Sequence, residues 1–280
     1  MKIGIIGLGL IGGSVGLCLR DMKLIDRVYG SDMSKENESL ALNLGLVDEI
    51  ITFDKMKEIC DVIFLAIPVE AIVKTLQNLK DIKNTTTIIE LGSTKEKIIS
   101  SCPKEIRANL VAAHPMAGTE NSGPKAAFKT LLQKAVVVIC NDDDTANFHA
   151  KRAIEIFSYA GMKIVFMDAK KHDHHVALIS HLPHVISYSL VNSVLKEENK
   201  RNIINLAGGS FSDVSRIAKS SPEMWSQICN SNKDSICIFL DKFIEEMHNI
   251  RDNISNDTPE ETSEFIENLF KEAGGYRKSF

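Results

Sequence analysis

The chain has 280 residues, of which 44% are hydrophobic and 25% charged, and a net charge of −4. That composition fits a soluble globular protein with material for one large domain or two ordinary ones. The mild acidity argues against a general nucleic-acid surface. No apolar run reaches the roughly 20 residues that a bilayer crossing needs. Neither nucleic acid nor membrane is therefore an expected partner.

Taken in order, Lys2–Ile6 is a short β-type run, and Gly7-Leu8-Gly9-Leu10-Ile11-Gly12 follows with no spacer. This is the G-x-G-x-x-G order of a strand that turns straight into a helix. Gly7 allows the tight turn, Gly9 lets the backbone approach a pyrophosphate, and Gly12 lets the helix pack close to the strand. Free N–H groups at the helix start, at Leu10 and Ile11, then face the phosphates. Asp32 ends a second apolar run twenty residues after Gly12. A carboxylate there accepts hydrogen bonds from ribose hydroxyls and repels a 2′-phosphate, which predicts NAD rather than NADP.

A polar helix is expected over 35–44, a strand over 49–53, and a buried strand over 61–67 that stops at Pro68 and opens a helix over 69–79. A strand over 86–90 leads through Leu91-Gly92-Ser93-Thr94 to a helix over 95–101. Strands over 109–112, 135–140 and 163–167 continue the series, with a helix over 145–160. Strands alternating with helices predict a doubly wound, mostly parallel sheet of Rossmann type. Ligands of such sheets bind beyond the carboxyl ends of the strands. The glycine loop, Asp32, Ile67, Pro68, Ser93 and His114 lie at those ends. Beyond Asp168 the strand signals stop, so the expected organisation is a dinucleotide-binding domain over 1–167 and an all-helical substrate-binding and dimerisation domain over 168–280. Its helices are expected over 172–195, interrupted by Pro183, and over 203–206, 221–228, 234–254 and 259–273, with a loose tail from Gly274. The apolar stripe Ile236, Phe239, Leu240, Phe243, Ile244 and Met247 is either a homodimer interface or intramolecular core.

His114 leaves its strand into a loop of small residues, where a neutral imidazole can take a proton as a hydride leaves; an ordinary loop histidine is the alternative. Ser93 could serve beside it, and Ser93 or Thr94 could cap the following helix, two compatible roles. His181 and His184 fall one turn apart in Ser180-His181-Leu182-Pro183-His184. His172, His174 and His175 precede them, yet no spacing matches a metal signature, so no metal is expected. Asp213 and Arg216 are one turn apart, as a surface ion pair or with Arg216 clamping a substrate carboxylate. Trp225 reads as core. The six cysteines form no C-x-x-C pair, which predicts reduced core thiols in a cytoplasmic protein.

Five segments, GLGLIGGS (7–14), LGSTK (91–95), HPMAGTENSG (114–123), SHLPH (180–184) and DVSRIAKSSPEMW (213–225), together resemble the prephenate and arogenate dehydrogenase family of tyrosine biosynthesis. The resemblance implies an NAD-dependent oxidative decarboxylation of prephenate to 4-hydroxyphenylpyruvate. It makes His114 the base on the ring hydroxyl, assisted by Ser93. Ser180 and His184 line the substrate pocket, Arg216 binds a substrate carboxylate with Asp213 nearby, and Glu120 lies at the pocket mouth. Where the family more often has LGSVK, this chain has LGSTK, which keeps Ser93. Arogenate dehydrogenase, giving tyrosine, is the neighbouring reading. A non-catalytic NAD-binding sensor is the alternative from another class, and it predicts loss of the histidine, serine or arginine, all of which are present.

Overall fold

The computed structural model describes residues 1–79, 81–256 and 258–277. By packing, the chain divides after Lys233 into two compact units. The first holds an eight-stranded sheet in the order β3-β2-β1-β4-β5-β6-β7-β8. The strands are β1 Lys2–Ile6, β2 Arg27–Ser31, β3 Glu49–Ile50, β4 Val62–Leu65, β5 Thr87–Glu90, β6 Leu110–Pro115, β7 Val136–Cys140 and β8 Lys163–Met167. Between them run α1 Leu10–Leu19, α2 Lys35–Asn43, α3 Phe53–Ile59, α4 Val69–Gln77, α5 Glu96–Ser100, α6 Lys104–Arg107 and α7 Asn147–Tyr159.

The central strands are near-continuous apolar runs because both of their faces are covered. On β4, Val62 and Phe64 join one core with β1, α1 and α7 residues such as Ile5, Val15 and Phe157. Ile63 and Leu65 point the other way, into a core with Met56 of α3 and Ile72 and Leu76 of α4. The alternation of side chains along a strand thus feeds two layers at once.

The expected parallel order holds from β3 to β6 and then reverses. β7 runs antiparallel to β6, with His114 opposite Val138, and β8 runs parallel to β7. The cause is local. Residues 116–135 turn back without the crossover helix that a parallel return requires. The expected strand over 49–53 is only two residues long. Thr52 then caps α3, its hydroxyl accepting from the Lys55 amide at 3.3 Å.

After β8 the first unit is helical: α8 Ala169–Val176, a π-helical turn Ala177–His181, α9 Leu182–Leu195, α10 Lys200–Asn205, α11 Gly209–Ser215, a 3₁₀ turn Arg216–Lys219 and α12 Pro222–Ser231. Pro183 does not break the path from α8 to α9, because the wide π turn ahead of it absorbs the mismatch. Gly209 opens α11.

The second unit consists of α13 Lys233–Asn256 and α14 Pro259–Arg277. Gly274 and Gly275, expected in a loose tail, are helical; residues 278–280 lie outside the described residues. No helix among the described residues is long and apolar enough to cross a membrane. The cysteines are all free: Cys18, Cys60 and Cys140 are buried as expected, whereas Cys237 is exposed.

Candidate active site

The glycine loop fits a dinucleotide by its steric demands. Gly7 has φ +90°, and a Cβ there would sit 2.3 Å from the Ala66 carbonyl oxygen. A Cβ on Gly12 would lie 1.9 Å from the Gly7 oxygen, whereas one on Gly9 would meet nothing within 4 Å. Two glycines therefore serve close packing, and the third leaves open space at the start of α1. That helix has no side-chain cap and no acidic residue in its first turn, so its leading amides remain available to an anion. Asp32 is tied to the loop: Oδ2 accepts from the Leu8 amide at 2.8 Å, and Oδ1 from the Ser34 amide and Asn37 Nδ2 at 2.9 and 3.1 Å.

A cleft of about 670 Å³ continues from this loop and is lined by Leu10, Ile11, Ile67, Pro68, Ser93, His114, Glu120, Ser180, His184 and Arg216, among others. Gly7, Gly9, Gly12 and Asp32 lie on the dinucleotide side, outside this lining. Asp213 is also outside it, exposed on α11. Ten of the positions expected from sequence thus converge on one space.

His114 ends a chain of hydrogen bonds. Its Nδ1 is 2.9 Å from His172 Nε2, and His172 Nδ1 is 2.8 Å from Asp173 Oδ1. The Asp173 carboxylate also accepts from the Lys95 amide at 2.8 Å and the Glu96 amide at 2.9 Å. Because a carboxylate only accepts, His172 carries its proton on Nδ1 and accepts at Nε2. His114 then donates from Nδ1, which leaves Nε2 as a lone pair toward the cleft. Burial first, then His172, Lys95 and His181, hold the His114 pKa well below the ordinary histidine value. His114 is accordingly a neutral acceptor at neutral pH.

Asp173 takes the capping role foreseen for Ser93 or Thr94. The opening amides of α5 bond to Asp173, and the residue at the cap position, Lys95, makes no side-chain cap bond. Ser93 is left half-buried on the cleft wall. Beneath it Lys95 and Glu90 form a fully buried ion pair, and Lys95 Nζ donates at 2.8 Å to the carbonyl of Ala113. Burial holds the Glu90 carboxyl above the usual carboxylate range against the pull of Lys95.

The opposite wall comes from the helices. His184 donates from Nδ1 to the Ser180 carbonyl at 2.9 Å and stacks on Trp225, ring centroids 3.7 Å apart at 24°. Trp225 is buried, as read from the sequence, yet it also lines the cleft. Arg216 pairs with Glu120 at 3.0 Å across the mouth rather than with Asp213. Glu120 is held below the usual carboxylate range by its own amide and then by Arg216.

Sequence reasoning missed His172, Asp173, Lys95 and Asn232. The run His172-Asp173-His174-His175, just after the last strand, is the available signal, but its spacing points to a hydrogen-bonding role toward substrate and gives no sign of a link to His114. Among the described residues no group of three or more His, Cys, Asp or Glu is placed to hold a metal ion.

A glycine loop with open space at the start of α1, a carboxylate tied to that loop and a neutral imidazole on the adjoining cleft fit an NAD-dependent dehydrogenase. Comparison with known proteins makes this specific. A family profile described as the prephenate dehydrogenase nucleotide-binding domain matches residues 15–166, and one described as the prephenate dehydrogenase dimerization domain matches residues 168–271. Prephenate dehydrogenase of Bacillus subtilis (strain 168) is 34% identical over 97% of this chain and 74% of its own length. Cyclohexadienyl dehydrogenase of Zymomonas mobilis is 32% identical over 97% of this chain and 93% of its own. A crystal structure of prephenate dehydrogenase from A. aeolicus, solved with hydroxyphenyl propionate and NAD+, superposes with a TM-score of 0.90 at 26% identity. It covers 99% of this chain and 98% of that one. The chain belongs to the prephenate dehydrogenase family.

Proposed function

We propose that this chain catalyses the NAD-dependent oxidative decarboxylation of prephenate to 4-hydroxyphenylpyruvate, as a cytoplasmic homodimer whose residues from 168 onward bind substrate and partner. The observation that carries the reading is His114, whose hydrogen-bond chain to Asp173 fixes its tautomer and leaves Nε2 free toward a cleft that continues from the glycine loop.

When bound, NAD supplies the hydride acceptor, and the amides after Gly9 together with Asp32 would hold its pyrophosphate and adenosine ribose. Leu10, Ile11, Ile67 and Pro68 would flank it, with Ser93 near the reacting end. His114 Nε2 takes the ring hydroxyl proton as that carbon is oxidised to a ketone. The ring carboxylate now lies where its C–C bond can feed electrons into the dienone. As that bond breaks, CO2 leaves, the ring becomes aromatic, and His114 returns the proton to the phenolic oxygen. Arg216 takes the side-chain carboxylate, its guanidinium already anchored by Glu120. Ser180 and His184 close the pocket around the ring, and Asp213 adds an acidic charge close to Arg216 on the outer surface.

The test is a steady-state assay of the purified protein, following NADH at 340 nm with prephenate or arogenate, each with NAD or NADP. Prephenate with NAD is expected to give the highest kcat/KM. A preference for arogenate would move the substrate to the amino analogue, and no turnover with either would remove the enzymatic reading.

A further inference from the structure

The turn that carries Asp32 leads to a second carboxylate, Glu38, set where a core residue belongs. Helix α2 buries only Glu38 and Ala41, while Leu40 is half-buried and Leu42 exposed. Glu38 is 7% exposed, at a position where an apolar side chain would pack without losing hydration. Attraction to the helix N-terminus does not account for the burial. Glu36, in the same first turn, obtains that attraction while exposed.

The partners of Glu38 show what the charge is doing. Its Oε1 accepts from the Asp32 amide at 3.2 Å, and its Oε2 from Lys35 Nζ at 2.7 Å. Asp32 takes the amides of Leu8 and Ser34 and the side-chain amide of Asn37. Two carboxylates thus occupy these donors around the turn from β2 to α2. Lys35 is the one cation in the sequence between Arg27 and Lys55. A ribose 2′-hydroxyl and a 2′-phosphate ask for opposite surroundings here. The hydroxyl needs an acceptor, which Asp32 supplies. The phosphate, with nearly two negative charges at neutral pH, needs amides and an ammonium.

We propose that Glu38 is a specificity-determining residue that excludes the 2′-phosphorylated dinucleotide, because it holds the Lys35 ammonium and the Asp32 amide that a 2′-phosphate would recruit. The assignment rests on the adenosine ribose lying at Asp32, as proposed above. Lys35 has a side chain 89% exposed, so once released it can turn toward a phosphate by changes of rotamer alone. Asp32 selects for the hydroxyl, and Glu38 selects against the phosphate.

Binding tests this apart from catalysis. NADH and NADPH are titrated by fluorescence, and adenosine 5′-monophosphate and adenosine 2′,5′-bisphosphate, which carry the adenosine end alone, by calorimetry. Glu38→Gln keeps an acceptor for the Asp32 amide but frees Lys35. It is expected to tighten NADPH and bisphosphate binding at least about tenfold, the scale of a hydrogen bond to a charged group, with NADH and monophosphate binding within about threefold of wild type. The retained NADH binding reports that the variant is folded. Glu38→Leu, which suits a core position and frees both donors, is expected to gain at least as much. Lys35→Met added to either variant should remove the gain.

Absence of a gain in both Glu38 variants overturns the proposal. A gain that survives Lys35→Met also overturns it, since the lysine would then have no part in it. Loss of NADH binding in both variants would make Glu38 a requirement of the fold, and that too overturns it. Failure of the wild-type chain to bind NADH, or wild-type NADH affinity in Asp32→Ala, would instead refute the ribose placement, and the Glu38 assignment with it.

Discussion

Asp173 accepts three hydrogen bonds through its carboxylate, from His172 and from the amides of Lys95 and Glu96. An asparagine there must turn its NH₂ toward at least one of these donors. Asp173→Asn is therefore expected to disturb the His172 tautomer and lower kcat by roughly 10²–10³-fold, within the usual range for a general base, while the KM for NAD changes little. Stopped-flow and steady-state rates at saturating NAD check this. The pH profile follows from the His114 shift. Its pKa is depressed, so the base stays neutral below the ordinary value near 6.5. The acid limb of kcat/KM should accordingly fall well below pH 6.5, and a limb at or above 6.5 would contradict it. Ser93 and His114 were legible because strand ends are marked by the switch from apolar runs to small polar residues. His172 was not, because it lies 58 residues from His114 and only the folded sheet brings it there.

At the scale of elements, the glycine loop separates packing from binding. Gly12→Ala places a methyl against the Gly7 carbonyl, and Gly9→Ala places one in open space. Thermal denaturation should show a clear loss of Tm for the first and little change for the second. NAD titration should show weakened binding for the second. The strand and helix pattern was readable as far as β6, since buried parallel strands announce themselves as apolar runs. The reversal at β7 was hidden because an apolar strand reads the same in either direction. It depends on what the connecting loop lacks. The same reversal lays residues 116–123 along the cleft, so Glu120 sits on the loop that follows the strand carrying His114. The π turn was equally silent, since its only sequence mark, Pro183, predicts a break rather than a widened helix.

For the whole molecule, the sequence pattern places a boundary at 167/168, whereas packing groups the helices up to Lys233 with the sheet. The difference is physical: α8 to α12 build one wall of the cleft and so pack on the unit that binds the nucleotide. The stripe on α13 is only partly satisfied within one chain. Ile236 and Phe239 are buried, while Ile244 and Met247 remain exposed. In the homodimer proposed above, a second copy would cover them. Light scattering is expected to give a dimer, and Met247→Glu should shift it toward monomer.

The backbone ladder between β5 and β6 ends at Glu90 opposite Ala112. Past that point the ammonium of Lys95 spans the gap, held by Glu90 on one strand and by the carbonyl of Ala113 on the other. It is a rung made from a side chain, set where peptide pairing has run out, between the segments that carry Ser93 and His114. The separation of those two groups is thus gauged by the length of one alkyl tether. Arginine would keep the charge but carries a longer, planar head into a space with no room for it. Lys95→Arg should lower turnover more than any surface lysine replacement, because at this rung the reach of the side chain matters as much as its sign.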